Sequence, residues 1–450
     1  MAGAAQLQWS SRFVFIMAAV GSAVGLGNLW RFPFQTGANG GSAFVIIYIA
    51  CVAFIALPVL MSEFAIGRHA QKSAVTSTRK MAQDAGRSAK WSFVGWVCLA
   101  AGFLVLTTYS VIAGQVMAFS ASGFMGHFGG ESMPLLDGNW MALAWHAAFM
   151  LLTILIVSRG LKGGIESVVT ILMPIFFLTL IGLTIYALIS GMESGATGQA
   201  FAYLFTPDFS AVDGGTFVAA LGQAFFSVGV ASAIMITYGS YLPRETNIAS
   251  SAVLISGADT VVALIAGLMI FPIVFAFGVN PAAGMGLIFE ALPNVFAGMP
   301  AGNIIGGAFF FLAFIAALTS SISLLEGTVA FVDEHSDFGR AQTAWMFGGF
   351  AFMIGAGAVW SPAFGGEFID VLSGEILLPL GGFLVAVFVG WVIPKKLLRE
   401  EMQHASNGMF AFFHIMMRYV VPFAVGFVLL LGLDARFNGG MLNGLLGLGG

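Results

Sequence analysis

The chain has 450 residues, 59% of them hydrophobic and only 8% charged, which excludes an ordinary soluble globular enzyme and defines a polytopic membrane protein. The net charge of −4 says little by itself; the basic loops serve membrane topology, and no nucleic-acid signature is present, so nucleic acid is not expected as a partner. Two cysteines, Cys51 and Cys98, both within apolar runs, exclude a disulfide framework and metal-ligand spacing; both are expected to be small buried side chains.

Apolar runs long enough to span a bilayer, about 20 residues each, are expected near 12–36, 41–67, 91–123, 140–158, 165–190, 217–241, 250–278, 303–332, 342–359, 369–394 and 417–434. That makes eleven helices in a single integral domain, residues 1–450, with connections too short for a soluble domain. Lys and Arg residues from Arg68 to Arg418 collect on the loops of one side, and Arg31 and Arg436 fall on the other. The positive-inside rule then puts the N-terminus in the cytoplasm and, with an odd number of spans, the C-terminus outside. The first run is too long and too polar, and lacks the basic leader, for a cleavable signal.

The first span is interrupted by Gly21-Ser22-Ala23-Val24-Gly25-Leu26-Gly27-Asn28-Leu29-Trp30-Arg31. Glycine weakens a helix by about 1 kcal/mol relative to alanine. Small residues alone would mark a helix-packing surface. Asn28 and Arg31 at membrane depth point instead to a binding site. A break here frees carbonyls that hold a cation and amides that hold an anion.

The second span ends in Glu63-Phe64-Ala65-Ile66-Gly67-Arg68. Glu63 is either a partner for amides freed in a broken neighbour or an interfacial carboxylate reaching the surface. Tyr109, mid-membrane in the third span, reads as an aromatic with a satisfied hydroxyl. The sixth span is interrupted in turn by Gly222-Gln223-Ala224-Phe225-Phe226-Ser227-Val228-Gly229-Val230-Ala231-Ser232. Interruptions five spans apart are the signature of an inverted-repeat transporter with a mid-membrane site. Asp259 lies alone among apolar residues in the seventh span and wants a cation nearby. In the eighth, Ala316, Thr319 and Ser320 share one helical face, whose hydroxyls either bond the preceding turn or suit a hard cation.

Together, Gly25 through Pro33, Asn39-Gly40-Gly41, Glu63 through Arg68, Gly222 through Phe226 and Leu318 through Ser321 resemble the neurotransmitter:sodium symporters, specifically their bacterial amino-acid branch. The resemblance runs from about Trp9 to Tyr419. It implies an all-α leucine-transporter fold with broken helices 1 and 6. A 5+5 inverted repeat follows, over about 10–190 and 215–395, with an extra helix at 417–434.

The resemblance also implies two sodium sites. One would use the Ala23 carbonyl, Asn28, Ser227 and Asp259; the other the carbonyls of Gly21, Val24 and Ala316 with the Thr319 and Ser320 hydroxyls. The substrate carboxylate would meet amides at Leu26–Gly27 and the Tyr109 hydroxyl, and its ammonium backbone oxygens at Ala23, Phe226 and Ser227. Its side chain would meet Val105, Ile112, Phe226, Gly229, Ser232, Ser320 and Leu324, an uncharged apolar lining. Arg31 and Asp370 would gate the outer side, and Trp9, Arg12, Tyr241 and Glu334 the inner one; Glu63 would brace the sixth span.

The implied protein is not an enzyme but a sodium-coupled importer of neutral, hydrophobic or aromatic amino acids. It would sit in the bacterial inner membrane, with the lipid bilayer as its surroundings and no obligatory protein partner. A carrier of small neutral amino acids or other carboxylate-bearing amines, a carrier coupled to protons through Asp259, a channel and a non-transporting sensor are the alternatives. Gly25 stands where monoamine carriers have an aspartate, so the cargo supplies its own carboxylate. Ser232 is smaller than the family's usual residue, Ala231 and Ala233 replace glycines, Asp259 replaces a common asparagine, and Gln6 replaces a gating arginine. With a carboxylate at Asp259 and no charge at Ala263, chloride is not expected to take part.

Overall fold

The computed structural model describes residues 7–130, 133–210, 212–282, 284 and 286–437; the side chains of residues 367 and 435–437 lie outside that description, as does Gln6 altogether. Every regular element among the described residues is helical. Among the described residues, nine helices are long and apolar enough to cross a membrane: α3 (Ser42–Ala70), α5 (Ala89–Phe124), α6 (Gly138–Ser158), α7 (Leu161–Ser190), α11 (Ile248–Ala276), α13 (Gly302–His335), α14 (Arg340–Trp360), α15 (Ala363–Val392) and α17 (Asn407–Asp434). Two further crossings are broken. The first comprises α1 (Arg12–Ala23) and α2 (Gly27–Ala38), bent by 50° at the break. The second comprises α9 (Gly214–Val228) and α10 (Ile234–Ser240). The eleven expected spans are therefore all present, two of them in pieces. Short helices α4 (Ala74–Asp84), α8 (Ala196–Phe205), α12 (Leu287–Ala297) and α16 (Lys395–Glu401) occupy the connections.

The broken pairs sit at the centre. α1 is packed among α7, α11 and α13, and α10 lies along α3. α13 runs along α5 for much of its length, and α14 covers α6. α17 closes against α15 at the periphery. Cys51 and Cys98 are both free and buried.

The first break is stabilised locally. Val24 turns to an extended ψ of 101°, and the Asn28 side chain accepts a hydrogen bond from Gly25 N–H at 3.1 Å, replacing the helical carbonyl lost there. In the second break, Gly229, Ala231 and Ala233 all adopt positive φ, at 70°, 66° and 64°. The two alanines do so at a cost of about 1–2 kcal/mol each. The chain unwinds across 229–233 although glycines are missing from two of the three left-handed positions. Glu63 settles the alternative left open by the sequence. It is fully buried, and its Oε1 accepts the freed Ala231 N–H at 2.6 Å.

Candidate functional site

Both breaks open onto one cavity of about 60 Å³, lined by Ala23, Gly25, Leu26, Gly27, Val105, Tyr109, Phe226, Gly229, Ser232, Ser320 and Leu324 together with Ser22, Phe225, Val230, Ile234 and Leu378. Tyr109 accepts the Leu26 N–H through its hydroxyl at 3.4 Å, which places a phenol beside the amides of the first break. A β-carbon on Gly25 would fall 2.9 Å from Ser320 Oγ and 3.2 Å from the Tyr109 hydroxyl, so any side chain there would take up cavity space. Ser232 turns its hydroxyl onto the Gly229 carbonyl at 2.8 Å, which leaves the wall above it apolar.

Beside the first break lies a buried polar cluster. Asn28 Nδ2 donates to Asp259 Oδ1 at 2.8 Å, to the Asp259 carbonyl at 3.0 Å and to Ser227 Oγ at 3.0 Å. Ser227 donates to Asp259 Oδ2 at 2.7 Å, and the Tyr48 hydroxyl donates to Ser227 at 3.2 Å. Asn28 and Asp259 are fully buried. Every hydrogen-bond partner of this carboxylate is neutral, and no Lys, Arg or His lies within 4.0 Å of it among the described residues. Gln223 extends the cluster by donating to the Gly27 carbonyl at 2.9 Å, tying α9 to α2.

A second cluster of oxygens joins α13 to α1. Thr319 Oγ1 meets the carbonyls of Gly21 at 2.6 Å and Ala316 at 3.1 Å; Ser320 Oγ meets those of Ser22 and Ala316, both at 3.1 Å. Neutral hydroxyls and carbonyls converging without a charged side chain form an oxygen set of the kind a hard monovalent or divalent cation takes. Val24, named with this group in the sequence, lies at the C-terminal end of α1.

On the side of α2, a larger chamber of about 230 Å³ shares Leu26, Val105, Tyr109, Phe225, Phe226 and Leu378 with the cavity. Ile112 lines this chamber rather than the inner cavity. Arg31 and Asp370 line it too, but no ion pair joins them. The Arg31 guanidinium lies 4.8 Å over the Phe226 ring and donates to the Gly222 carbonyl at 3.4 Å; Asp370 accepts from Thr108 at 2.5 Å.

On the side of the basic loops a cavity of about 410 Å³ reaches Tyr241 and Arg340, and aromatic side chains pack beside it. Trp9, 5% exposed, donates through its indole to the Tyr238 carbonyl at 3.1 Å and through its backbone to Tyr241 O at 3.2 Å, and its ring meets both tyrosines edge-on. Tyr241 donates to Glu326 at 2.6 Å, and Glu326, fully buried, pairs with Arg340. Arg12 is exposed and reaches Ser250 instead, while Glu334 holds the Ser73 N–H at 2.9 Å and Lys72 at 3.6 Å. Glu326, Arg340, Phe225, Val230, Ile234 and Leu378 escaped the sequence reading. Only Glu326 carried a usable signal, a carboxylate inside an apolar helix; the others are distinguished by position in space.

This architecture defines a membrane transporter with a central cavity at two broken helices. The family model of the sodium:neurotransmitter symporters matches residues 6–132 and 138–438, and the chain belongs to that family, whose members are transporters and not enzymes. It is 36% identical over 446 residues to the sodium-dependent transporter YhdH of Bacillus subtilis (strain 168), covering 94% of this chain and 97% of that protein. A sodium-dependent transporter of Haemophilus influenzae is 30% identical over 443 residues, covering 93% and 96%. Among solved structures, the crystal structure of MhsT in complex with L-phenylalanine superposes with a TM-score of 0.85 at 38% identity, over 95% of this chain and 99% of that one. The chain shares with MhsT the leucine-transporter fold of the family's bacterial branch.

Proposed function

We propose that this sodium-dependent transporter imports neutral amino acids with large apolar or aromatic side chains, by alternating access and with two sodium ions as co-cargo. The observation that carries the reading is Asp259, a buried carboxylate held only by neutral partners beside the first helix break. Such a group needs a cation. One sodium would take Asp259, Asn28, Ser227 and the Ala23 carbonyl; the other the Thr319 and Ser320 hydroxyls with the carbonyls of Gly21, Val24 and Ala316. With Gly25 supplying no acid, the cargo carboxylate completes the first site beside the Leu26–Gly27 amides and Tyr109. Sodium and cargo therefore raise each other's affinity.

The apolar wall of Val105, Phe226 and Leu324, with a small residue at Ser232, favours a bulky apolar side chain, as does the likeness to a protein crystallised with L-phenylalanine. Burying such a side chain is worth roughly 1.5–3 kcal/mol. Arg31 and Asp370 would pair as the outer side closes, and the Trp9–Tyr241 packing would open on the inner. The N-terminus would be cytoplasmic and the C-terminus outside, in a bacterial inner membrane, with the two halves of the chain as inverted repeats. Asp259 would carry the charge that chloride supplies elsewhere, so transport should not depend on chloride.

Uptake into proteoliposomes, with and without a sodium gradient, tests the reading. Saturable, sodium-driven uptake of phenylalanine or leucine is expected, unchanged when gluconate replaces chloride. Binding without flux would mark a sensor, and non-saturating flux a channel. Preference for glycine or alanine would mark a carrier of small amino acids. Ser232→Phe should weaken large cargo and spare alanine.

A further inference from the structure

At the junction of α15, α16 and α17 several cations lack carboxylate partners. Arg418, on α17, is half-buried, yet among the described residues none of its guanidinium nitrogens donates to a protein acceptor, and its Nε is buried without a partner. Its guanidinium instead lies 5.5 Å over the Trp391 ring and 5.8 Å over Tyr419, two aromatic side chains that are themselves exposed. One turn away on the same helix, His414 has a buried Nδ1 with no partner and stacks on Phe410. Lys395 reaches over that same Phe410 ring at 5.9 Å. Lys396 is exposed beside it. Among the described residues, no ion pair within 4.0 Å engages Lys395, Lys396 or Arg418. The nearby carboxylates do not answer them: Glu401 is committed to Arg68 and Arg244, and Glu400 is exposed and pairs with none of them among the described residues.

The contrast with the other arginines is informative. Arg68, Arg340 and Arg399 are all supplied with protein oxygens, while Arg79 and Arg159, which have none among the described residues, are exposed. Arg418 alone among these is half-buried and unsupplied. A guanidinium with five donors seeks bidentate oxygen acceptors. Here the exposed indole and phenol mark the membrane–water boundary, where such aromatic rings sit at headgroup level. The acceptor available at that depth is a lipid phosphate.

We propose that Arg418, Lys395 and His414, flanked by Trp391 and Tyr419, form a binding site for the phosphate of an anionic phospholipid at the basic face of the membrane. Basic pockets between transmembrane helices on that face suit such headgroups. Occupancy would staple α17 to the end of α15, beside the short helix whose Glu401 anchors α3. The site does not depend on which cargo the central cavity takes.

The test is native mass spectrometry of the full-length protein released from micelles that contain phosphatidylglycerol or phosphatidylcholine. The wild type should retain phosphatidylglycerol in preference to phosphatidylcholine. Lys395→Gln and Arg418→Gln should each weaken retention about fivefold, the loss expected for one basic residue at an anionic surface. Arg159→Gln, an exposed arginine of the same face, should leave it unchanged. Lys395 is exposed, so its variant reports even where Arg418→Gln fails to fold. Equal retention of the two lipids, or equal losses for Arg159→Gln and Lys395→Gln, overturns the proposal. Displacement of the lipid by inorganic phosphate at matching concentration would mean a site for soluble anions, and overturns it as well.

Discussion

The two sides of the central cavity are built differently. Towards the basic loops, Trp9, Tyr238, Tyr241, Glu326 and the largely buried Arg340 form a continuous network of hydrogen bonds and one ion pair. Towards α2 the corresponding charges, Arg31 and Asp370, face a chamber of about 230 Å³ and satisfy themselves locally, on a ring, a carbonyl and a threonine. One side is closed by interactions that must break for it to open. On the other, no ion pair joins Arg31 to Asp370. A buried pair is costly to separate, whereas a solvated pair is worth little until closure desolvates it.

The comparison breaks most severely at Glu326. Glu326→Gln leaves Arg340 buried without its counter-charge, which should cost about 3–5 kcal/mol. Thermal melting of the purified protein would read the loss, and label distances across the ends of α1 and α10 should lengthen as the basic side opens. An unchanged distance distribution would mean that the network does not hold that side shut. Replacing both partners by leucine should recover much of the stability, because no uncompensated charge remains.

Acid should loosen the same side by a second route. Burial pushes the Glu401 carboxyl up, but hydrogen bonds from His69 and Arg68 outweigh it, and its pKa ends below the ordinary 4.5. A lowered folded-state value means stability that is present above pH 4.5 and lost as pH falls through the folded value. Melting temperatures should therefore fall on acidification below about pH 5. Glu401→Gln should be less stable at pH 7 by roughly 1.5–3 kcal/mol, the worth of charged hydrogen bonds, and flatter in its acid response. A variant with the wild-type acid profile would assign that response to another group.

On the open side, Asp370→Asn should change melting by less than about 1 kcal/mol, since only the Thr108 contact is altered. Uptake should nevertheless slow about tenfold, the effect of roughly 1.4 kcal/mol on a closing step. Equal losses of stability and uptake would show that Asp370 is structural rather than a gate.

The smallest effect belongs to the second break. Ala231→Gly should relieve part of the strain of its φ of 66°, offset by the greater freedom of glycine in the unfolded chain. A net gain of about 0.5–1 kcal/mol is expected, and a loss would mean that the Ala231 methyl packs well enough to outweigh its backbone.

Much of this molecule was legible in its residues. Hydropathy alone places eleven spans, because lipid requires long, internally bonded helices. The interruptions at Gly25–Asn28 and Gly222–Ser232 mark where two of them break, because glycines there are joined by polar residues that are costly at that depth. Asn28, Ser227 and Asp259 were suspect for the same reason, and the structure brings their side chains into mutual hydrogen bonds. Linear sequence left open what Glu63 meets, since a carboxylate one turn inside a membrane reads the same whether it reaches the surface or a freed amide. Only packing decided that Ala231 and Ala233 accept left-handed backbone, with Glu63 taking the Ala231 N–H. Only packing placed Ile112 in the outer chamber, turned Arg12 to Ser250 and joined Glu326 to Arg340 across the α13–α14 connection. Periodicity tells which face of a helix is buried; which side chain of another helix that face meets is set by the crossing of whole helices, and no local pattern encodes it.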